Sequence, residues 1–237
     1  MTRRRWIADE VQGERAVLLG QNAHHLSRVL RAKVGQEFDI ACGDQVRLGM
    51  VTSIADDRVE FTLGAALQQA QQSDVRLLLA VFKFDRMEWA IEKAVELGVN
   101  SIHPVIARRT DAHLAAAAGK RTDRWRRIAH EAAQQSRRTS TPEIAEPVKL
   151  KDALQQEDVA KILLSEAEDG NSLTNVLAAA GNAPLVLAIG PEGGWAEDEL
   201  QQFASAGWES ASLGATILRA ETAAIAAVAL AMAFPQK

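Results

Sequence analysis

The 237-residue chain reads as an α/β protein with a parallel sheet, preceded by a small β-barrel domain. Residues 3–63 break into short strand-like runs at even spacing, whereas from Val75 onward apolar runs alternate with helical patterns. Between the two regimes lies Gly64–Ser73, whose Gln68-Gln69-Ala70-Gln71-Gln72 offers nothing apolar to anchor it. The expected division is therefore a barrel over 1–66, a linker over 67–74 and a second domain over 75–237. A further observation supports the parallel sheet: two glycine-containing turns each follow a predicted strand, where open α/β sheets bind ligands.

In the first region the predicted strands are Ala16–Leu19, Glu37–Ala41, Gln45–Ile54 and Arg58–Leu63, separated by Gly35, Gly43-Asp44 and Asp56-Asp57. His24–Arg31 is predicted as a small helix, with Leu26, Val29 and Leu30 inward and Arg28 and Arg31 on a shared outer face. In the second region Val75–Phe82 is a buried strand. Asp85 and Glu88 are spaced as a capping box opening a helix that runs to Gly98, with Met87, Ile91, Ala94 and Val95 at helical period. Ser101–Ile106 is the next strand, and Thr122–Gln135 the next helix, with Trp125, Ile128, Ala129 and Ala132 inward. Strands at Ala160–Leu164, Pro184–Ile189 and Ser210–Leu213 follow, with helices at Leu173–Ala179, Glu197–Ala206 and Glu221–Phe234. There is no internal repeat.

Bulk properties narrow the function. Apolar residues make up 47%, enough for real cores, and charged residues 24%, ordinary for a soluble protein. Met1–Trp6 is basic with no apolar stretch behind it, so no secretory signal is expected. The longest apolar run, Ala223–Phe234, is too short to span a bilayer, and a cytoplasmic protein without membrane attachment is expected. The lone Cys42 excludes an internal disulfide and a cysteine-based zinc site, and His103, His113 and His130 lack metal-ligand spacing, so no metal is expected. The net charge of −4 hides an uneven distribution. Residues 1–73 are neutral, 74–150 carry +4 and 151–237 carry −8. A polyanionic partner responds to the local field, so the middle third is the segment that can face one.

Ile189-Gly190-Pro191-Glu192-Gly193-Gly194 ends the apolar run of one predicted strand. It lacks both the phosphate-loop lysine and the dinucleotide glycine spacing, and alone it is an ordinary strand-to-helix turn. The second phrase, Leu213-Gly214-Ala215-Thr216-Ile217-Leu218-Arg219-Ala220-Glu221-Thr222-Ala223, ends in an arginine and a carboxylate at the start of an alanine-rich helix. The pair resembles the signature of the SPOUT methyltransferases, and within them the RsmE-type family, where the phrases read GPEGG and LG-x-x-ILR-x-ETA. His25-Leu26-Ser27-Arg28-Val29-Leu30-Arg31 is similar to that family's H-x-x-R-V-L-R. Arg86-Met87-Glu88 through Glu96-Leu97-Gly98-Val99 resembles its K-M-E…E-L-G-V helix, and Ala132–Arg138 with Pro142-Glu143-Ile144 its A-x-E-Q-x-x-R…P-x-I stretch. The resemblance runs from about residue 15 to the end. Three departures stand out: Ala215 in place of a frequent proline, Ala220 in place of a frequent threonine, and Gln134 in place of a glutamate.

The resemblance implies a trefoil-knotted domain that holds S-adenosylmethionine in the knot, a PUA-like first domain, and methylation of N3 of a uridine in 16S rRNA of the small ribosomal subunit. It implies cofactor contacts from Leu164, Ser165 and Glu166, from Ile189, Gly190, Pro191, Glu192, Gly193 and Gly194, and from Leu213, Gly214, Ile217, Leu218, Arg219 and Thr222. RNA contacts are expected from His25, Arg28, Arg31, Arg108, Arg109, Arg137 and Arg138. Arg219 and Glu221 are the expected catalytic pair: N3 must lose a proton, so a carboxylate can accept it or position water, while a cation clamps the substrate. A structural alternative is that Glu221 merely caps the helix dipole, paired with Arg219. The Ala-rich last helix is expected to contribute to a homodimer. Rival readings are a SPOUT enzyme for another RNA, a non-catalytic RNA-binding assembly factor, and a nicotinamide oxidoreductase, the last disfavoured by the missing fingerprint.

Overall fold

The computed structural model describes residues 5–43, 45–67, 74–136, 138–157, 159–168, 170–181 and 183–234. The expected linker and Arg137 therefore fall largely or wholly outside the described residues. The chain forms two compact units, one containing the N-terminal region with 133–141, the other the remainder from residue 72.

The first unit holds β1 (Arg5–Ile7), β2 (Glu10–Gln12), β3 (Arg15–Leu19), α1 (Gly20–His24), β4 (Glu37–Cys42), β5 (Gln45–Ile54) and β6 (Arg58–Leu67). They make one mixed sheet in the order β1-β4-β5-β6-β3-β2. Its two edges are consecutive in the chain. Ala8 N–H bonds to Ala41 O at 3.0 Å on one side, and Asp9 N–H to Val17 O at 2.9 Å on the other. The sheet thus curls round on itself, enclosing Trp6, Leu18, Leu26, Ile40, Val51 and Phe61. β1 and β2, three residues each, were too short to register as a period of two in the sequence. Gln134 explains one departure from the family pattern. Its Oε1 accepts from Ile7 N–H at 3.1 Å and its Nε2 donates to Ile7 O at 3.5 Å, so the amide meets both backbone groups of an edge strand. A glutamate, ionised, could only accept.

The predicted helix over His24–Arg31 needs correction. After α1 the chain winds as a π-helical turn, His25–Val29, closed by Leu30 N–H to His25 O at 3.0 Å. The wider winding shifts the faces: Leu26 is buried, but Val29 and Leu30 are 64% and 39% exposed. Arg31 then adopts a left-handed backbone, φ 50°, which ends the helix and takes it off the face of Arg28.

The second unit contains β7 (Val75–Ala80), α2 (Phe84–Leu97), β8 (Ser101–Ile106), α3 (Ala112–Ala117), α4 (Thr122–Gln135, whose last residues group with the first unit), β9 (Glu143–Ile144), β10 (Val148–Lys149), α5 (Leu150–Ala153), β11 (Ala160–Leu164), α6 (Leu173–Ala180), β12 (Leu185–Ile189), α7 (Glu197–Ser205), β13 (Glu209–Ala211) and α8 (Ala220–Ala233). The sheet runs β10-β8-β7-β12-β11-β13, with β9 also on β8, and every described pairing is parallel. The central β12 is buried at all five positions, as expected of a strand covered on both faces.

α2 buries Met87, Ala90, Ile91, Ala94 and Val95 and stops at left-handed Gly98. Its start differs from the expected capping box. The N-cap is Lys83, with no side-chain cap, and Glu88 instead binds Arg124 through both oxygens at 2.7 and 2.8 Å. α8, apolar nearly all round, packs on α2, β12 and β7 through Ala224, Ala227, Val228 and Ala231. Beneath the sheet, Phe203 meets Trp195 and Trp208 edge-on, centroids 4.8 and 5.1 Å apart. Phe203 is fully buried, so Phe203→Ala is expected to destabilise this unit by about 3–5 kcal/mol, read from the urea midpoint at unchanged slope.

Candidate active site

The turns after β11, β12 and β13 converge, with the first turn of α8, around a cavity of about 390 Å³. That size suits a small-molecule ligand. β11 supplies Leu164, Ser165 and Glu166; β12 supplies Ile189, Gly190, Pro191, Glu192 and Gly194; the segment after β13 supplies Leu213, Gly214, Ile217, Leu218 and Arg219. All of these were singled out from the sequence. Gly193 and Thr222 are not on the wall. Gly193 turns its carbonyl to Arg109 Nη1 at 2.7 Å, and Thr222 is exposed on α8. Sequence reasoning missed Arg86, Ala167, Trp195, Leu200, Ser212, Thr216, Ala220 and Ala223. Most of these adjoin predicted residues. Arg86 comes from α2, far away in the chain; the K-M-E resemblance marks its position, but nothing local ties it to this cavity.

Two local conformations shape the wall. Gly194 has φ +69°, and a Cβ there would stand 2.7 Å from Glu166 Oε1, so the β12 turn and the β11 turn approach as closely as they do because residue 194 lacks a side chain. From Ala215 to Leu218, no backbone N–H or C=O is bonded to another described residue. Unpaired backbone along an apolar wall is suited to reading the polar edge of a flat heterocycle. Ile217, 84% exposed, stands at the mouth.

The charges differ from the simplest sequence picture. Glu221 is 5% exposed and lies behind the wall, not on it. Its ionic partner is Arg86, Nε to Oε1 3.7 Å, rather than Arg219. Glu221 Oε2 is buried with no hydrogen-bond partner among the described residues. Arg86 also reaches Glu192, Nη1 to Oε1 2.9 Å. Arg219, the residue preceding α8, is exposed on the wall and its guanidinium engages no described residue. The catalytic pair of the sequence is thus split: Arg219 faces the cavity and Glu221 supports it from behind. Among the described residues, no group of three His, Cys, Asp or Glu is placed to hold a metal ion.

The candidate RNA contacts are scattered in role. In the first unit His25 lies edge-on to Trp6, centroids 5.7 Å apart, Arg28 pairs with Asp56, and Arg31 is exposed with no described partner. Arg138 is 6% exposed and burial lowers its pKa, so it is not offered to a partner, contrary to expectation. In the second unit Arg109 holds the Gly193 carbonyl, and exposed Arg108 pairs with Asp198 at 3.0 Å while its N–H donates to Glu199 Oε1 at 2.8 Å. Nearby cations are tied down as well: Arg124 on Glu88, and Arg126 on Glu146 at 2.9 Å.

Comparison with known proteins adds to this geometry. An RNA methyltransferase domain family model matches residues 68–232. The Rickettsia conorii protein named ribosomal RNA small subunit methyltransferase E is 31% identical over 212 residues, covering 88% of this chain and 85% of its own. Its Bacillus subtilis namesake is 28% identical over 224 residues, covering 89% and 87%. Among solved structures, a ribosomal RNA small subunit methyltransferase E from Neisseria gonorrhoeae bound to S-adenosylmethionine superposes with TM-score 0.82 at 28% identity, over 97% of this chain and 96% of that one. A Legionella pneumophila protein in complex with the same cofactor gives TM-score 0.83 at 26% identity, over 98% of both chains.

The close approach at Gly194 is testable. Gly194→Ala is expected to lower stability by about 1–2 kcal/mol, from the strained φ and the contact with Glu166. Adding Glu166→Ala should restore the steric part and leave the backbone part, as read by thermal unfolding.

Proposed function

The chain belongs to the ribosomal RNA small subunit methyltransferase E family, and we propose that it transfers a methyl group from S-adenosylmethionine to N3 of a uridine in 16S rRNA. The observation that carries this reading is the cavity itself. Three successive βα turns enclose a mostly apolar space, and the Arg219 guanidinium, with no partner among the described residues, stands at its rim. The site's residues fit the cofactor. The backbone of Thr216–Leu218, bonded to no described residue, can meet the adenine edge, and Leu164, Ile189 and Leu218 give the ring apolar faces. Thr222 and Gly193 then act from outside the wall, by shaping the turns.

When bound, S-adenosylmethionine supplies a methyl group on a cationic sulfur, to be taken by the N3 lone pair once N3 has lost its proton. Arg219 binds the uracil oxygens or the adjoining phosphate and so favours the anionic base. Glu221 receives the N3 proton through a water, because its carboxylate lies behind the wall. The segments over 1–66 and 75–237 then serve as a PUA-like RNA-binding domain and a trefoil-knotted SPOUT domain, joined by 67–74. His25, Arg28 and Arg31 hold rRNA in the first, with Arg108 and Arg137 adding basic contacts. Apolar α8 contributes to a homodimer that acts in the cytoplasm. No helix among the described residues is long and apolar enough to cross a membrane.

The deciding experiment offers labelled S-adenosylmethionine and small subunits lacking the modification, followed by nucleoside analysis. Label in 3-methyluridine is expected; label in another nucleoside would move the substrate, and cofactor binding without any transfer would favour an assembly factor. In the same assay Glu221→Gln should slow transfer by about a hundredfold or more, and Arg219→Ala should raise KM for the subunit about tenfold with cofactor affinity little changed. Arg31→Gly separates folding from binding. Relief of the left-handed strain should hold or slightly raise the melting temperature, while affinity for rRNA falls about tenfold as one phosphate contact is lost.

A further inference from the structure

Arg86 lies in the first turn of α2, on the cavity wall, and touches carboxylates from two other elements around that cavity. Its Nη1 is 2.9 Å from Glu192 of the β12 turn, and its Nε is 3.7 Å from Glu221 of α8. The shorter contact is the weaker constraint. Glu192 is 36% exposed at its side chain, and ion pairs at such exposure contribute little in water. The Glu221 side chain is 6% exposed, with one oxygen lacking any described partner. A carboxylate so buried depends on its countercharge, and losing that partner is far more damaging than losing a surface pair.

We propose that Arg86 is a positioning residue for methyl transfer, holding the Glu221 carboxylate in its working orientation. The inference rests on the reading of Glu221 given above. The two contacts leave from different nitrogens of one planar group, whereas the lysine of the family's K-M-E phrase offers a single ammonium at this position.

The test is a double-substitution cycle on the full-length protein, combining single-turnover methyl transfer to small subunits with calorimetric binding of S-adenosylmethionine. Arg86→Met is expected to slow transfer about a hundredfold with cofactor Kd changed less than about threefold, and Arg86→Lys to recover part of the rate. In a Glu221→Gln background, adding Arg86→Met should cost less than about twofold, because the group it serves is already disabled. An equal loss in both backgrounds would overturn the proposal and leave the role of Glu221 standing. So would a loss of cofactor affinity matching the loss of rate. A wild-type rate for Glu221→Gln would overturn both. Should Arg86→Met fail to fold on thermal unfolding, Arg86→Lys carries the same cycle with the same criteria.

Discussion

Every described pairing in the larger sheet is parallel, and the position of the site follows from that constraint. Parallel strands need crossover connections, so the turns that follow them gather along one edge of the sheet. Strand order then selects a place on that edge. β11 has β12 on one side and β13 on the other, so the chain leaves it in one direction and later crosses back. A crevice opens where connections diverge, and the turns after these three strands line it. The buried run of β12 and the edge-on Trp195–Phe203–Trp208 cluster under it pack the sheet behind that edge, while the turns themselves are irregular.

Within the crevice, geometry and charge are set by residues distant in sequence. Arg109 grips the carbonyl of Gly193, Arg86 grips Glu192, and buried Glu199 ties Arg108 N–H to Ala196 N–H at 2.8 and 2.9 Å. The turn after β8 therefore fastens the β12 turn from outside, through Arg109 on Gly193 and Arg108 N–H on Glu199. Such fastening matters where a ligand is met by backbone atoms, since a backbone has no rotamers with which to correct a misplaced turn. Arg219 contrasts with these pinned arginines. It follows a stretch of unbonded backbone and has no described partner, so its charge is available to whatever enters the crevice.

Much of this was legible in the sequence because it is local. Strand and helix placement from Val75 onward follows periodicity, and the two glycine phrases lie where their turns lie, because a Gly at φ +69° leaves its mark on the sequence. What could not be read is nonlocal or short. The two-residue strands β9 and β10 carry no period. The partner of Glu221 looked like its neighbour Arg219, but the extended backbone at Arg219 turns the two side chains to different environments, and the true partner lies 135 positions earlier. The His25 segment misled for a different reason. A π-turn does not keep the 3.6-residue period on which the inward assignment of Val29 and Leu30 depended.

The charge distribution makes the same point at larger scale. The +4 of residues 74–150 suggested a basic face, yet Arg108, Arg109, Arg121, Arg124 and Arg126 each hold a carboxylate or a carbonyl. Conversely, in the acidic last third Asp198 is paired with Arg108, while Glu199 and Glu168 are turned to backbone N–H groups of Ala196, Gly170 and Asn171. Ion pairs such as Arg108–Asp198 and Arg124–Glu88 cancel beyond about a Debye length, so neither total predicts the field that a polyanion meets. That field comes from cations left over after folding, such as exposed Arg31, Lys120, Arg127 and Arg219, none with a described side-chain partner. A net acidic chain can therefore attract RNA, provided its unpaired cations stand where the phosphates pass.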